Sequence, residues 1–559
     1  EIVSFADVDF NGSPTVSTNG TGTIEVHAGR VFNFGAALTM GDTEGDLFDA
    51  GEYTIQTAGG DVTLTATNDI ELDTVNAGSG TVIVTADSDT SGAGSIDDAL
   101  TAETSNITAA STALRAATGI GSAEDIDTEV STISATNSTS GNVQLDNSVA
   151  GALTIGTVDS LSGITNDGGQ VTVSSTGAIT VDQNVSGTGD VMVTAEDSVS
   201  AGDNLAISAG ISVSASAGNV TLNAGDDLTA AANASVSASG NAALTADSGS
   251  VDAGGAITLA DTSTVSSTGG GNVDLTATDD VSLSALSTTG AVTVTSTAGS
   301  IVDNGDDATD ISATTAVLSA NGSVGQTSGT GNGLLEMTLD NVEVSATTGG
   351  VFLTDSTDLT VGGVSATTGL SAAGNVDLDV TGSLTVDEDV TSGGSLTVDT
   401  TNDVTVNAAV MATSGMAIST GTDNTGSISV SGTGSLTTTG AGADIALTTG
   451  TTSGNVTLSG DVTSADDLTI STFAGGTVIQ TAGTITADLE LQGAATVTLN
   501  SATNDFGTVA ADLDPGTVSL TDTNDVTVGI VGAATGIATG GANYGGNVTI
   551  SAPNGRITV

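Results

Sequence analysis

The sequence predicts an all-β protein whose chain winds into a rod-shaped parallel β-helix, or β-solenoid. The first observation behind this prediction is a recurring unit, Gly-Asn/Asp-Val-x-Leu/Ile, in which aliphatic residues alternate with Thr or Asp. Alternate residues of a strand share one face, so each unit predicts a short strand with one apolar face. The units begin at Gly60, Gly218, Gly271, Gly374, Gly454 and Gly546.

The second observation is the spacing of these strands along the chain. Neighbouring units recur at intervals near 20 residues, for example from Gln170 to Asp190 and from Asn375 to Ser395. One coil of short strands cannot bury its apolar face alone, whereas stacked coils bury a continuous aliphatic column. At roughly 20 residues per coil, the whole chain would make about 27 coils.

The third observation is the composition. Hydrophobic residues make up 37% of the chain, yet aromatic residues make up 2% and tryptophan is absent, which favours a long and narrow core. The 77 glycines supply the tight corners of such coils. Two tandem β-sandwich modules are the competing architecture, but each would need a large aromatic anchor. The tyrosines are only Tyr53 and Tyr544.

Longer repeats divide the chain into four predicted parts. Residues 1–56, which hold five of the eight phenylalanines, predict an N-terminal cap or small β module. Residues 57–265 and 266–475 are two solenoid blocks, because Ile179 and its neighbours are matched about 205 positions later, at Leu384. Residues 476–559 are a partial third block: segment 518–529 echoes 351–362 and, more distantly, 143–156.

Two further expectations concern the ends and one unusual stretch. Because the chain begins at Glu1, we expect a mature or excised segment. Because it stops inside the third block, at Val559, we expect an open last coil that more chain or another subunit completes. The stretch 95–140 contains the one helix-compatible run, 99–117. Its Thr, Ser and Ile content, followed by Gly119 and Gly121, predicts irregular coils with a loop instead of a helix.

Charge and composition exclude many functions. With 66 acidic and 3 basic residues the net charge is −63, so nucleic acid is excluded as a partner. No lysine is available for a P-loop or a Schiff base. Cysteine is absent and histidine occurs once, at His27, which removes thiol chemistry and two-histidine metal sites. No apolar run is long enough to predict a transmembrane segment.

The candidate metal ligands are aspartates at predicted corners, each directly before a strand. Carboxylate and carbonyl oxygens are the ligands that Ca²⁺ prefers, so calcium is the cation that these corners would bind. The alternative is turn chemistry, because Asx side chains accept hydrogen bonds from nearby backbone. We expect no required cofactor. The candidate ligands are Asp69, Asp227, Asp280, Asp403, Asp467 and Asp525.

Catalysis has weaker support, and we expect that the protein is not an enzyme. Paired aspartates such as 226–227 or 306–307 suit a polysaccharide hydrolase, but no repeated basic residue accompanies them. His27 would have to complete a Ser-His-Asp triad by itself, and a structural histidine is the simpler interpretation. Thr-x-Thr runs such as 293–295 would suit an ice-binding face, although outward threonine is also ordinary strand composition.

The segments 116–123, 130–137 and 140–143, together with the Gly-Asn-Val-Thr-Leu units, resemble the large repetitive bacterial surface proteins related to filamentous haemagglutinin. The resemblance covers roughly residue 59 to the C-terminus and implies a right-handed parallel β-helix, export to the cell surface, and adhesion or matrix formation. We therefore expect an extracellular structural protein that assembles head to tail into a filament, sheath or adhesive fibre, with surface glycans as a second class of partner. The alternative is a monomeric adhesin stalk that displays a binding tip.

Overall fold

The computed structural model describes residues 53–559 with gaps, and in residues 1–52 only the backbone of four strands. The gaps are 101–103, 150, 200–201, 250, 252–253, 306–307, 327–332, 366–368, 422–424, 451–453, 474, 494–495, 514–515 and 541–544. Within the described residues every regular element is a β-strand. The chain divides into two units, residues 1–290 and 291–559.

The first unit contains strands β1 to β34. In chain order they are Val8–Phe10, Thr15–Ser17, Arg30–Phe34, Leu38–Gly41, Tyr53–Thr57, Val62–Thr65, Ile70–Leu72, Thr74–Asn76, Thr81–Thr85, Ile96–Asp98, Ile107–Thr108, Ser111–Ala116, Ile126–Glu129, Thr132–Asn137, Val143–Asn147, Leu153–Ile155, Thr157–Val158, Leu161–Ser162, Ile164–Asn166, Val171–Ser175, Ile179–Val181, Val185–Gly187, Val191–Ala195, Leu205–Ile207, Ser212–Ala215, Val220–Asn223, Leu228–Ala230, Ser235–Ala238, Ala242–Thr245, Ile257–Leu259, Thr264–Ser267, Val273–Ala277, Val281–Leu283 and Ala285–Ser287.

The second unit contains strands β35 to β66. In chain order they are Ala291–Ser296, Ile301–Asp303, Ile311–Ser312, Thr315–Ala320, Leu335–Thr338, Asn341–Ala346, Val351–Asp355, Leu359–Val361, Leu370–Ala372, Val376–Val380, Leu384–Val386, Val390–Ser392, Ser395–Thr400, Val404–Val406, Ala409–Ala412, Gly415–Thr420, Ile428–Val430, Ser435–Thr438, Ile445–Thr448, Val456–Leu458, Asp461–Ser471, Thr477–Gln480, Ile485–Gln492, Thr496–Leu499, Asp505–Asp512, Thr517–Thr521, Val526–Val528, Ile530–Val531, Ala534–Thr535, Ile537–Ala538, Val548–Ser551 and Ile557–Thr558.

Both units are β-solenoids, and the predicted all-β parallel fold is confirmed. A coil typically contributes three short strands, and each strand pairs in parallel with the strand three places later, as β20 with β23 and β23 with β26 in the first unit. In the second unit β44 pairs with β47 and β47 with β50 in the same way. Parallel pairing follows because every coil runs in the same direction as the coil before it.

The core of each unit is a set of aliphatic columns that run from coil to coil. In the second unit Leu378 lies opposite Val398, Val398 opposite Ile418 and Ile418 opposite Leu447. The recurring sequence unit marks these positions correctly, since Val220 and Leu222 are fully buried whereas Thr221 between them is half-buried. Strand alternation thus places the aliphatic residues inside and the hydroxyl and acidic residues outside.

The two units together contain about 20 turns, fewer than the 27 expected. Coil length explains the difference: Val171 pairs with Val191 one coil later, 20 residues on, but Val191 pairs with Val220 and Ala242 with Val273, at 29 and 31 residues. The additional residues lie in corners and loops between strands.

For two regions, the structure describes only some of the residues on which the sequence prediction was made. Within 99–117 the described residues form strands Ile107–Thr108 and Ser111–Ala116, with no helix among them. In the predicted cap, backbone strand Arg30–Phe34 pairs in parallel with Tyr53–Thr57. The side chains of residues 1–52, including His27, lie outside the described residues, and the predicted cap and block boundaries stay predictions.

Candidate functional site: acidic corners, buried carboxylates and surface excursions

The Asx residues at the corners bind the backbone of the following coil. Asp403 directly precedes β48, and its Oδ1 accepts the backbone N–H of Ser427 at 2.8 Å, 24 residues later. Asparagine does the same, as Asn142 Oδ1 accepts from Gln170 N at 3.2 Å. The side chain therefore joins two coils instead of closing its own turn. Equivalent bonds start from Asp61, Asn184, Asp190, Asn204, Asn219, Asn241, Asp358, Asn375, Asp389, Asp444, Asn455, Asp461 and Asp488.

Most of the predicted calcium ligands are corner residues of this kind. The Oδ1 atoms of Asp69, Asp227 and Asp525 accept the backbone N–H groups of Ser95 at 2.7 Å, Ala256 at 3.0 Å and Arg556 at 2.6 Å. One carboxylate oxygen of each is thus used in the fold, and so is that of Asp403.

Asp280 and Asp467 are held differently. The carbonyl oxygen of Asp280 accepts the N–H of Ile257 at 3.1 Å. Asp467 donates its N–H to Asp444 Oδ1 at 3.1 Å, and burial, followed by the charge of nearby carboxylates, raises the pKa of Asp467. Five of the six candidates directly precede a strand at separate corners, whereas Asp467, predicted at a corner, lies within the strand Asp461–Ser471 next to a shift in register. Calcium binding at the six stays a prediction.

Replacing Asp403 with alanine is expected to lower the stability of the second unit by about 1 kcal/mol, because one inter-coil hydrogen bond is lost. Asp403→Asn retains the acceptor oxygen and is expected to match the unchanged protein in calcium-free buffer. Denaturant midpoints of the two variants check this. If calcium stabilises the unchanged protein but not Asp403→Asn, the carboxylate also serves as a ligand.

Two groups of three carboxylates come close together within the described residues, and neither contains a predicted ligand. Asp125, Asp127 and Asp146 form the first, on the outer face of the first unit. Asp127 lies opposite Asp146 on the next coil, and Asp146 Oδ1 accepts a hydrogen bond from Ser174 Oγ at 2.7 Å.

Asp303, Asp310 and Glu336 form the second group, with carboxylate oxygens all within 4.8 Å of one another. Asp310 is 2% exposed and Glu336 is 8% exposed. Asp310 Oδ2 accepts the N–H of Glu336 at 3.1 Å, and the N–H of Asp310 donates to the carbonyl of Glu336 at 2.9 Å. Burial, together with the charges of Asp303 and Glu336, raises the pKa of Asp310 to about 9. The neutral acid is therefore the favoured form at pH 7.

The first unit holds an equivalent of this group with one decisive difference. Asn106 takes the place of Asp310: its Oδ1 accepts the N–H of Asp127 at 2.8 Å, and its own N–H donates to the carbonyl of Asp127 at 2.9 Å. The Asn106 amide also donates to Asp98 Oδ1, which corresponds to Asp303. In the first unit the Asn106 amide thus donates a hydrogen bond to the neighbouring carboxylate. At the same place in the second unit, two carboxyl groups face each other.

The catalytic candidates are structural where they are described. Asp226 Oδ2 accepts the N–H groups of Gly202 and Asp203, the latter at 2.7 Å, so it holds the loop that ends at Asp203. Asp227 binds the next coil. Residues 306–307 and His27 lie outside the described residues, and the absence of enzyme activity stays a prediction.

Three segments between two glycines, which we call excursions, leave the coils: residues 156–163, 362–369 and 529–536, of which the structure describes 362–365 and Gly369 in the second. The first and third contain antiparallel hairpins, β17 with β18 and β62 with β63. Gly163 N donates to the carbonyl of Gly156 at 2.8 Å, and Gly536 N to Gly529 at 2.6 Å. Each excursion follows a strand of the segments 143–156, 351–362 and 518–529 that the sequence repeats.

Under each excursion the preceding coil has one continuous strand that pairs on both sides of the excursion. In the second, Val342 pairs with Val361 before it and Val344 with Leu370 after it, so Glu343 faces the excursion. Ser134 and Ala510 occupy the same position under the first and third. All three side chains point outward and are nevertheless buried, because the excursions cover them.

Charged side chains hold the excursions against the coils. Arg115 Nη2 donates to the carbonyl of Asp159 at 2.7 Å and forms an ion pair with its Oδ2 at 3.2 Å. Glu343, 1% exposed, accepts the N–H groups of Val364 and Ser365 at 2.8 and 2.9 Å through Oε1. Glu490 Oε1 accepts those of Ala533 and Ala534 at 3.0 and 2.9 Å.

A cleft opens beside the third excursion. Its volume is 440 Å³, and Ser471, Glu490, Gln492, Asp512 and Ala534 line it. Glu490 is 3% exposed, whereas Asp512 is exposed. The cleft offers carboxylate, carboxamide and hydroxyl groups beside a small apolar wall. Sequence reasoning missed it, because strand alternation alone predicts that Glu490 points into solvent.

These features define a β-solenoid repeat protein, a fold compatible with the repetitive surface proteins related to filamentous haemagglutinin. No protein-family model, curated protein or solved structure matches this chain. Within the described ranges there is no helix long and apolar enough to cross a membrane.

Proposed function

We propose that this chain is an extracellular structural protein, an acidic β-solenoid subunit of a cell-surface filament, sheath or adhesive fibre. Subunits would join head to tail by pairing the strand edges of their end coils, which is how exposed strand edges associate. Divalent cations such as Ca²⁺ would bridge the acidic faces of neighbouring subunits. The observation that carries the proposal is the in-register parallel stacking of both units, with hydroxyl and carboxylate side chains directed outward.

The arrangement of surface charge supports the cation component. Asp379 lies opposite Asp399 on the next coil, and Asp377 is on the same strand as Asp379. Burial, followed by the charge of Asp399, raises the pKa of both Asp377 and Asp379. Two carboxylates on coils about 4.8 Å apart repel by about 0.9 kcal/mol in water. With a net charge of −63, a medium rich in divalent cations would relieve this repulsion.

Electron microscopy and sedimentation of the purified protein test the proposal. We expect end-to-end polymers in Ca²⁺, and shorter ones after chelation or when sodium chloride of equal ionic strength replaces Ca²⁺. Polymers that persist after chelation would support the fibre and contradict the cation bridge. Particles that stay single in every buffer would contradict the fibre.

The second candidate is a monomeric adhesin stalk, and the excursions favour it. A rigid solenoid that carries loops at repeated positions is a common way to present a binding surface. Ile530 is 70% exposed in the third excursion, whose Ala533 and Ala534 line the cleft at Glu490. Single particles that bind surface glycans, with binding weakened by Ile530→Ser, would favour the stalk over the fibre.

A further inference from the structure

Asn304 lies directly before Gly305 in the loop that follows β36, and its environment is unusual. Both polar atoms of the Asn304 side chain are buried, and neither has a hydrogen-bond partner among the residues that the structure describes. A buried amide without partners costs about 1–3 kcal/mol. No hydrogen bond from the described residues therefore stabilises this amide against chemical change.

The neighbouring atoms fit one particular reaction. Gly305 N donates its proton toward Asp303 Oδ1 at 2.9 Å, so a carboxylate is in place to accept that proton. Gly305 has a φ of +102°, and no heavy atom of the described residues lies within 4 Å of the position where a Cβ would be. Within the part of the chain that the structure describes, the Gly305 nitrogen is thus held by a carboxylate and by no backbone carbonyl. General-base assistance of this kind contributes about 10²–10⁴-fold to a rate.

We propose that Asn304 is a site of self-catalysed deamidation, in which Asp303 acts as the base. The Gly305 nitrogen loses its proton to Asp303 and attacks Asn304 Cγ, forming a C–N bond. The bond between Cγ and Nδ2 then breaks, and Nδ2 leaves as ammonia, taking the proton from Asp303. The resulting succinimide adds water and opens to aspartate or isoaspartate. The net reaction consumes one water, releases one ammonia and needs no other reagent.

The chain contains a matched control, Asn321-Gly322. There the Asn321 amide donates to the carbonyl of Ala298 at 3.2 Å, and Gly322 N donates to the carbonyl of Gly299 at 2.7 Å. The nitrogen that would attack is held in an inter-coil backbone bond, so the same dipeptide is expected to be stable. The equivalent of the reactive site in the first unit is also inert, because Ala99 follows Asp98 and no side-chain amide is present.

The experiment is mass spectrometry of peptic peptides from the intact protein, sampled during incubation at mildly alkaline pH. The peptide with Asn304 is expected to lose about 17 Da as succinimide or gain about 1 Da after hydrolysis, while the peptide with Asn321 stays unchanged. Equal rates at both sites, or no reaction at Asn304, would overturn the proposal.

Two variants distinguish the effect of the Asp303 base on the rate from the effect of the Asn-Gly dipeptide. Asp303→Asn keeps an oxygen that accepts from Gly305 N but cannot take its proton, and we expect the rate at Asn304 to fall by at least about tenfold. Gly305→Ala is expected to slow the reaction by crowding the nitrogen. An unchanged rate in Asp303→Asn would exclude the carboxylate as the base. Should that variant fold poorly, the comparison of Asn304 with Asn321 in the unchanged protein still decides the proposal.

Discussion

Replacing Asp310 with asparagine is expected to stabilise the second unit by up to about 4 kcal/mol at pH 7. Because the pKa of Asp310 is raised from 3.8 in the unfolded chain to about 9 in the fold, the folded state holds a proton that the unfolded state has lost. Stability from this group is fully present below pH 3.8 and falls as pH rises toward 9. The loss accumulates across that window, because the unfolded chain gives up the proton that the folded state keeps.

Asparagine removes this penalty and keeps the local geometry. Its Oδ1 can accept from Glu336 N, and its amide can donate to the neighbouring carboxylates, as Asn106 does to Asp98 in the first unit. Denaturant midpoints between pH 4 and pH 9 are the measurement. The unchanged protein should lose stability across this range more steeply than Asp310→Asn. The control is Asp403→Asn at an exposed corner, and equal pH slopes in all three proteins would contradict the expectation.

Replacing Glu343 with alanine is expected to release the second excursion and to cost about 4 kcal/mol. The buried carboxylate accepts two backbone N–H groups and the Ser365 hydroxyl, and hydrogen bonds to a charged group are worth about 1.5–3 kcal/mol each. Hydrogen exchange is the suitable measurement, because a repeat protein opens locally. The amides of Val364 and Ser365 should exchange much faster in Glu343→Ala.

Glu388 provides the matched control, since it holds the same excursion from a half-buried position. Its two oxygens accept the N–H groups of Gly363 at 3.2 Å and Gly369 at 2.8 Å. Glu388→Ala is expected to cost about 1 kcal/mol and to affect mainly these glycines. Glu343→Gln should lie between the two, because it retains one acceptor oxygen. Exchange at Val364 that is unaffected by Glu343→Ala would show that the excursion is held by other contacts.

The sequence predicts the architecture well because the coil is a local pattern. In the recurring five-residue motif that begins at Gly374, Val376 and Leu378 alternate with Asp377, and this alternation alone identifies the buried face of the strand. The Asn or Asp before such a strand was correctly placed at a corner. Its hydrogen-bond partner, one coil away, depends on coil length and could not be derived from the local residues.

The buried carboxylates could not be predicted for a related reason. Glu343, Glu490 and Glu336 all occupy outward positions of strands, where alternation predicts exposure. They are buried by chain that lies elsewhere in the sequence, as Ala533 and Ala534 lie over Glu490. One signal was present: each of the repeated segments 143–156, 351–362 and 518–529 ends in a glycine, and a second glycine follows seven positions later.

The Asx corner bonds have a consequence for how such a chain can change in length over evolution. Each bond joins one coil only to its immediate successor, as Asp461 joins Thr484. A gene duplication that inserts whole coils therefore has to satisfy new contacts at just two junctions, and every inserted coil brings its own corner side chain. Growth by copying entire windings is consequently tolerated, whereas losing part of a winding shifts the register of its neighbours.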